Sequence, residues 1–426
     1  MRLLLVLLIC FAVPAEAAFE DLGAGARAAG MGNAFAPVAD DVYAIYYNPA
    51  GIGTIERPEF GAAYSLLYPG LSDGSSVGSS FLGYTHPLSD GRYGTFGTAW
   101  NSFSLNSSIY RDDSLYFSYG KLAVESADHG KLYAGLNMKY LRSSFGTFPE
   151  SSNAVPTKGV LGGGQPDPLL NGRHTTSAFG LDFGFLYRPD KHFSGGVSVI
   201  NANEPNVAFG TDPDRLPLLL KLGLDYRSLL SNLVAEYDTA RYLATGREHT
   251  IMFGAERWFP RAFVGDLCVR MGGSFGSNDR RELDAGVSYR TQRFQIDYSL
   301  GVPFGAVNVP VSSHRVALTF RFGRKTEEEE SLEMVLEAMK QLKSGRGQPE
   351  VEKKTNLSGA EKATMEEYLI IARGLESRAQ YWEALQKFNE ALQVAPADKT
   401  LLGGYGRLSF VAQQIKALPD YKSDPV

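Results

Sequence analysis

The chain has 426 residues, and 42 Lys and Arg against 47 Asp and Glu give a net charge of −5. This acidic balance argues against the basic surface that nucleic-acid-binding domains carry, so we expect no nucleic-acid partner. Aromatic residues make up 12% and charged residues only 21%, and Gly occurs 46 times. This composition is typical of β-rich proteins and is too apolar for a disordered chain.

The first residues have the three parts of a secretory signal peptide. Met1 and Arg2 give a positive start, residues 3–13 are apolar, and Ala15-Glu16-Ala17 has the small-x-small form of a cleavage site. We therefore predict a signal peptide over residues 1–17. The alternative is an uncleaved anchor helix, but the apolar stretch is shorter than the roughly 20 residues that such a helix needs.

The remaining chain lacks the marks of a helical membrane protein and of a metal site. After the first 20 residues no run of 18 apolar residues occurs, which excludes a bundle of membrane-spanning helices. Removal of the leader takes away Cys10 and leaves Cys268 alone, so no internal disulfide is expected. The sequence contains no HExxH or CxxC motif. We therefore expect neither a metal nor a cofactor.

Residues 57–323 alternate between apolar and polar side chains with a period of two. In one segment Phe179, Leu181, Phe183, Phe185 and Tyr187 alternate with Gly and Asp. Such alternation predicts β-strands with one apolar face. Fourteen such segments begin near residues 58, 79, 93, 114, 131, 175, 192, 216, 231, 248, 263, 280, 292 and 314.

The connections between these segments alternate in length. Those after even-numbered segments are tight turns, as at residues 88–91, 188–191 and 259–261, whereas odd-numbered segments precede longer ones, as at residues 144–174 and 301–312. Short turns on one side and long loops on the other predict an antiparallel outer-membrane β-barrel with its short turns in the periplasm. The alternative is a secreted β-sandwich or propeller, in which the apolar face would form a core.

Several carboxylates fall on the polar face of these segments and would line the barrel interior. They are Asp182, Asp225, Glu236, Glu282, Asp284 and Asp297. No spacing pairs them into an acid–base site. Residues 272–276 fit the pattern G-x-S-x-G, but a nucleophile elbow requires a following helix, whereas here a strand meets a loop. We therefore do not expect an enzyme.

The start of the predicted mature chain carries three short motifs at residues 27–32, 40–41 and 48–51: Arg-Ala-Ala-Gly-Met-Gly, Asp-Asp and Asn-Pro-Ala-Gly. Their spacing resembles the start of mature proteins of the PorV/PorQ group, which is related to the FadL family of long-chain fatty-acid transporters. The resemblance implies that residues 18–56 form a plug inside the barrel.

By this resemblance Arg27, Asp40, Asp41, Asn48 and Pro49 occupy the matching positions of the plug and would take part in gating. The alternative is that the plug only fills the interior. Because charges enclosed there need partners, we expect the two aspartates to meet inward-facing cations. The candidates for these cations are Lys139, Lys221 and Arg270.

The chain continues for about 100 residues after the last predicted strand, which departs from the FadL pattern. We predict an acidic helix and a linker over residues 324–360. Residues 361–418 resemble a tetratricopeptide repeat with a capping helix. An even number of strands places both barrel ends on one side, so this domain is expected in the periplasm. The alternative is a helical hairpin of another kind. The repeat residues that would contact a periplasmic protein are Tyr368, Ala372, Ala384, Phe388 and Ala391.

The predicted architecture is thus an all-β transmembrane barrel at residues 57–323, in contact with outer-membrane lipid, with a luminal plug and an α-helical repeat domain. By resemblance, the leading function is transport of fatty-acid-like molecules across the outer membrane of a Gram-negative-type bacterium. Apolar loop residues Leu161, Leu169, Leu170, Val307 and Val309 would form the site where the ligand enters. The alternatives are a PorV-like role in secretion of protein cargo and an envelope scaffold.

Overall fold

A computed structural model describes the chain in two parts. The described residues are 21–323 with gaps at 72–73, 90, 107–108, 127, 147–154, 158–159, 166–173, 211, 229, 243–245, 263, 278–280 and 305–311, together with 359–377, 381–394, 401, 403–406 and 408–409. The predicted signal peptide and most of the acidic helix and linker lie outside them. The chain divides into two compact units, Met1–Arg324 and Lys325–Val426.

The first unit contains a closed antiparallel barrel. Its strands are β1 Glu59–Leu67, β2 Val77–Pro87, β3 Thr95–Leu105, β4 Tyr110–Ser126, β5 Gly130–Phe145, β8 Thr175–Arg188, β9 Phe193–Ile200, β10 Leu219–Arg227, β11 Ser231–Tyr242, β12 Gly246–Ala262, β13 Gly265–Gly276, β14 Arg281–Arg290, β15 Phe294–Pro303 and β16 Ser313–Arg321. β1 pairs with both β2 and β16, which closes the ring. The prediction of 14 barrel strands is confirmed.

The apolar face of the strands lies on the outside of the barrel. Phe179 is 70% exposed and Leu224 is 72% exposed, whereas Asp182 and Asp225 on the alternate positions are at most 2% exposed. A water-soluble sandwich would bury the apolar set instead, so that alternative is wrong. The outward side chains form a surface suited to lipid, and polar side chains are enclosed.

Two local features differ from the predicted connections. The long loop after β5 contains a further hairpin, β6 Val155–Thr157 and β7 Val160–Gln165, which the alternation did not indicate. The predicted turn at residues 259–261 is wrong, because β12 continues to Ala262 with a register shift between Phe259 and Ala262. Pro260 lies at this irregularity, where its missing N–H group breaks no regular ladder.

The tight turn between β8 and β9 is closed by a carboxylate. Asp190 accepts hydrogen bonds from the backbone N–H groups of His192 at 2.6 Å and Phe193 at 2.9 Å. These bonds favour the ionised form, so they lower the pKa of Asp190 below its ordinary value. The Pro-Asp pair therefore sets the sharp return of the chain.

Residues 21–57, here called the N-terminal segment, are mostly buried. They form the short helices α1 Ala26–Ala29 and α2 Ala44–Tyr47, followed by a 3₁₀ helix at Pro49–Thr54. Small residues dominate this part of the chain, and Phe35 and Tyr47 are 0% exposed. The segment packs against the inward face of the barrel strands, where Ile45 and Ile52 join one apolar cluster with Phe81 of β2.

The close fit of the segment depends on glycines in the wall. At each of these positions an added Cβ would contact the segment within 4 Å: Gly61, Gly83, Gly97, Gly120, Gly135, Gly184, Gly196, Gly223, Gly254, Gly272 and Gly286. They belong to strands all around the barrel. At Gly135 the added atom would overlap the backbone of Pro49. Glycine thus allows the two backbones to approach where any side chain would separate them.

We predict that Gly135→Ala lowers the free energy of unfolding by about 1–3 kcal/mol, because the new methyl group overpacks the contact with Pro49. Equilibrium denaturant unfolding of the refolded protein in detergent measures this. Gly195→Ala is the matched control, since the nearest atom to its added Cβ is 3.7 Å away. Equal stability losses in the two variants would contradict the predicted close contact.

The second unit contains helices α3 Gly359–Ser377 and α4 Tyr381–Val394. Their buried side chains form one cluster, which consists of Ala372, Ala384, Phe388, Ala391, Leu401 and Leu408, with Tyr368 packed against it. The residues singled out in the repeat pattern are therefore neighbours in space. No helix in the described part of the chain is both long and apolar enough to cross a membrane.

Candidate functional site in the barrel interior

Arg27 is the centre of the polar contacts that attach the N-terminal segment to the barrel. Its Nη1 lies 2.5 Å from Asp40 Oδ1 and 3.0 Å from Asp41 Oδ2. Its Nη2 and Nε donate to the two carboxylate oxygens of Glu256 on β12, at 2.8 and 3.2 Å. The guanidinium thus has three carboxylate partners, although the residue is only 7% exposed. The planar fork of Arg suits such paired hydrogen bonds.

Glu256 extends this contact into the wall. It accepts hydrogen bonds at 2.8 Å from Asn232 Nδ2 on β11 and from Arg270 Nε on β13. Arg270 Nη1 in turn lies 3.3 Å from Asp297 Oδ1 on β15 and also donates to Ser288. One continuous set of charged and polar side chains therefore connects the segment to five inward positions on the neighbouring strands β11 to β15.

The partners of the two aspartates differ from the sequence prediction. Asp41 binds Arg27, and Asp40 binds Arg27 and Arg227 Nη2, the latter at 3.1 Å. Arg227 lies on the inward period of β10, so the expectation that an inward cation would meet the aspartates holds for Asp40. The three cations named as examples, Lys139, Lys221 and Arg270, pair with other carboxylates instead.

The partners of the two lysines include carboxylates of adjacent strands. Lys139 Nζ lies 2.7 Å from Asp182 Oδ1 of the adjacent strand β8. Lys221 Nζ lies 2.6 Å from Asp238 Oδ2 of the adjacent strand β11 and 2.5 Å from Asp21 Oδ2 of the N-terminal segment. Adjacent strands thus place opposite charges within reach of each other.

Backbone donors of the segment also bind wall carboxylates. Glu236 Oε2 on β11 accepts from the N–H groups of Phe35 and Ala36 at 2.8 and 2.7 Å. Glu59 Oε2 on β1 accepts from Val42 N at 3.1 Å, and its Oε1 lies 2.7 Å from Arg321 Nε on β16. Peptide groups that no helix or strand pairs are thus satisfied by the barrel.

Asn48 and Pro49 set the end of α2. Asn48 Nδ2 donates to Ala36 O at 2.9 Å and to Phe185 O of β8 at 3.1 Å, and Asn48 Oδ1 accepts from Ala50 N at 3.1 Å. The asparagine therefore caps the 3₁₀ helix and binds the wall at once. Pro49 opens that helix, where its lack of an N–H group costs nothing.

One cavity beside the segment has a mixed lining of charged and apolar side chains. Its volume is about 80 Å³, and its lining includes Lys139, Asp182 and Lys221 together with Leu141, Ile200 and Leu216. This space holds several water molecules. Charged groups therefore face part of the space beside the segment.

The residues predicted to form the ligand entry fall outside the described part of the chain. Leu169, Leu170, Val307 and Val309, as well as the side chain of Leu161, lie outside the described residues. The G-x-S-x-G match falls inside strand β13. Within the described ranges, no group of three or more His, Cys, Asp and Glu residues could hold a metal ion.

The sequence alone does not identify Glu256 and Glu59 as contacts of the segment, and it places Glu236 in the interior without its contact to the segment. Their positions follow the inward period of their strands, and all three are at most 4% exposed. The period identifies them as interior residues. It does not identify which of them faces the N-terminal segment, because that depends on packing across the barrel between residues about 200 positions apart, as for Glu236 and Ala36.

Residues 43–320 match the protein family described as type IX secretion system membrane protein PorP/SprF. No curated protein is similar enough in sequence to count as a match. Among solved structures, a deltaS2 mutant of the TodX monoaromatic hydrocarbon channel has a TM-score of 0.50 at 12% identity, over 72% of this chain and 100% of that chain.

Two further solved structures are similar. The toluene transporter TodX of Pseudomonas putida has a TM-score of 0.48 at 13% identity and covers 70% of this chain and 98% of its own. A FadL homologue of Pseudomonas aeruginosa has a TM-score of 0.43 at 13% identity, with 68% and 96% covered.

The fold is thus that of an outer-membrane β-barrel. The family match spans more than half of the chain, and the chain belongs to the PorP/SprF family.

We predict that Arg27→Met lowers the free energy of unfolding by about 3–5 kcal/mol, because Asp41 loses its buried counter-charge and Glu256 keeps only Arg270. Thermal and denaturant unfolding in detergent measure the loss. Arg257→Met is the control, since Arg257 is exposed and donates to Ser231 Oγ at 2.6 Å. The further change Asp41→Asn in the Arg27→Met protein should recover part of the loss. A loss no larger than that of the control would show that the network does not hold the segment.

Proposed function

We propose that the protein is a non-catalytic outer-membrane component of protein secretion that acts by binding polypeptides. The observation that carries the proposal is the occupied interior of the barrel. The N-terminal segment contacts strands around the whole ring and is held by the Arg27 network. The family description, which names type IX secretion, supports the same role.

In this proposal the N-terminal segment is a plug. Its buried ion pairs and its glycine contacts resist displacement, so the barrel stays closed to small solutes. Buried ion pairs add little to stability compared with apolar packing, but they define one arrangement because an unpaired charge is costly. The network is therefore suited to keep the plug in a single position while the outer surface binds partners.

Transport of fatty-acid-like molecules is the second candidate. The barrel fold that it shares with hydrocarbon channels favours it at the level of architecture. A hydrophobic ligand requires an apolar path. When such a ligand passes a charged side chain, it displaces the water or the partner of that side chain and offers no hydrogen bond in return. In the cavity beside Lys139, Asp182 and Lys221, these charged groups interrupt the apolar lining, so we regard this candidate as the weaker one.

The helical unit is proposed to be a tetratricopeptide-like module in the periplasm that binds a protein partner. Ala384, Phe388 and Ala391 have the spacing of the second helix of such a repeat and form its buried face with Ala372. Ile370 is 71% exposed on α3 and is available for a contact. Such a module would connect the barrel to periplasmic proteins of the secretion system.

We predict that deletion of the gene in its native bacterium removes a defined set of proteins from the culture medium and from the cell surface. Uptake of radiolabelled oleate and toluene should remain within the wild-type range, because the closed interior carries neither. Quantitative mass spectrometry of the medium and uptake assays measure both in the same cultures.

Reintroduction of the full-length gene is the control and should restore the secreted proteins. A variant lacking residues 359–409 tests the helical unit separately. The proposal fails if secretion is unchanged while uptake of the hydrophobic compounds falls at least about tenfold, as expected for loss of a specific carrier.

A further inference from the structure

The barrel wall is interrupted between β8 and β9. β8 pairs with β5 along Thr175–Arg188, whereas its registered pairing with β9 includes only Phe183 to Tyr187. β9 ends at Ile200, and the chain then leaves the wall as a loop up to β10. The part of β8 before Phe183 therefore has one edge along which no described strand is paired.

The side chain of Asn203 occupies this edge. Its Oδ1 accepts from Leu181 N at 2.9 Å, and its Nδ2 donates to Phe179 O at 2.8 Å. Ala202 N also donates to Leu181 O at 2.8 Å. One carboxamide thus supplies the acceptor and the donor that a residue of a neighbouring strand would supply.

The loop that carries Asn203 is bent away from a strand path. Asn201 and Glu204 have φ angles of 55° and 44°, in the left-handed region that non-glycine residues rarely adopt. Val207 and Leu216 of the same loop are buried against Leu141 of β5. The loop therefore turns inward, and its asparagine remains exposed at the edge of β8.

A groove lies over β5 and the start of β8. Its volume is about 430 Å³, and Tyr140, Arg142, Thr175, Thr176 and Ser177 line it. The lining is mostly polar and lies at the long-loop end of the two strands. Open space is thus present next to residues 175–177, at the start of the unpaired edge.

We propose that the edge of β8 at residues 175–182 is a docking site for an extended polypeptide, which binds by strand addition and displaces the side chain of Asn203. This inference rests on the proposed role in protein secretion and names where its cargo binds. The occupant is a β-strand because the hydrogen bonds that Asn203 makes are those of a peptide group. Main-chain bonds would give affinity, and Phe179, which is 70% exposed, would pack against alternate side chains.

The test uses the purified full-length protein in lipid nanodiscs. The probe is a peptide in which Val and Thr alternate and which carries a benzophenone at its centre. The peptide has about ten residues, which is the length of a long strand. After illumination, mass spectrometry maps the crosslinks. We expect crosslinks at residues 175–182, and a rise of about fivefold with Asn203→Ala, because the competing hydrogen bonds are removed.

Ser177→Pro provides the opposite change. Backbone groups of alternate residues share an edge, so the N–H group of Ser177 faces the same side as that of Leu181, away from β5. Proline removes it without breaking the β5 ladder and should reduce crosslinking about fivefold. Ser177→Ala is the matched control and should leave crosslinking unchanged. Gel mobility with and without heating confirms that each barrel is folded.

Three results would overturn the proposal. The first is crosslinking that neither Asn203→Ala nor Ser177→Pro changes, or that a proline-containing peptide of the same composition reproduces. The second is label spread evenly over outward positions such as Phe253, which indicates partition into lipid. The third is the absence of label at residues 175–182 in nanodiscs that contain two copies of the chain, which indicates that a second copy occupies the edge. Each can occur while the secretion role tested in cells still holds.

Discussion

The interior of the barrel is organised by one buried cation. Arg27 has Asp40, Asp41 and Glu256 as partners, and two of these three acids belong to its own segment. Only Glu256 comes from the wall, so two of the three carboxylates around Arg27 are supplied within the segment. A buried guanidinium without these partners would carry a large desolvation cost. The surrounding carboxylates keep the Arg27 guanidinium paired at each of its nitrogen atoms.

The glycines of the wall make the same arrangement possible by shape. Charge pairing at about 3 Å requires that backbones approach closely, and side chains at Gly135 or Gly272 would keep them apart. Close packing and ion pairing are therefore interdependent. A change in either loosens the segment.

The sequence predicts the barrel well because the period of two repeats in each strand and needs no long-range information. The motifs around Arg27 and Asn48 likewise predict a buried segment from small residues and paired charges. The partners of Asp40 and Asp41 were not predictable. Lys139 and Lys221 were candidates because they are cations on inward positions of the strands. In the structure, however, carboxylates of adjacent strands pair with them. The extra hairpin β6–β7 lacks alternation, and the extension of β12 depends on an irregularity at Pro260.

We propose that the N-terminal segment closes the barrel. The conductance of the purified full-length protein in planar lipid bilayers under applied voltage tests this closure. We expect no open-pore current for the wild-type protein, and the appearance of current when residues 21–57 are deleted and the barrel is refolded. A steady ohmic current through the wild-type protein, of the size that an empty barrel of 14 strands would carry, would contradict it.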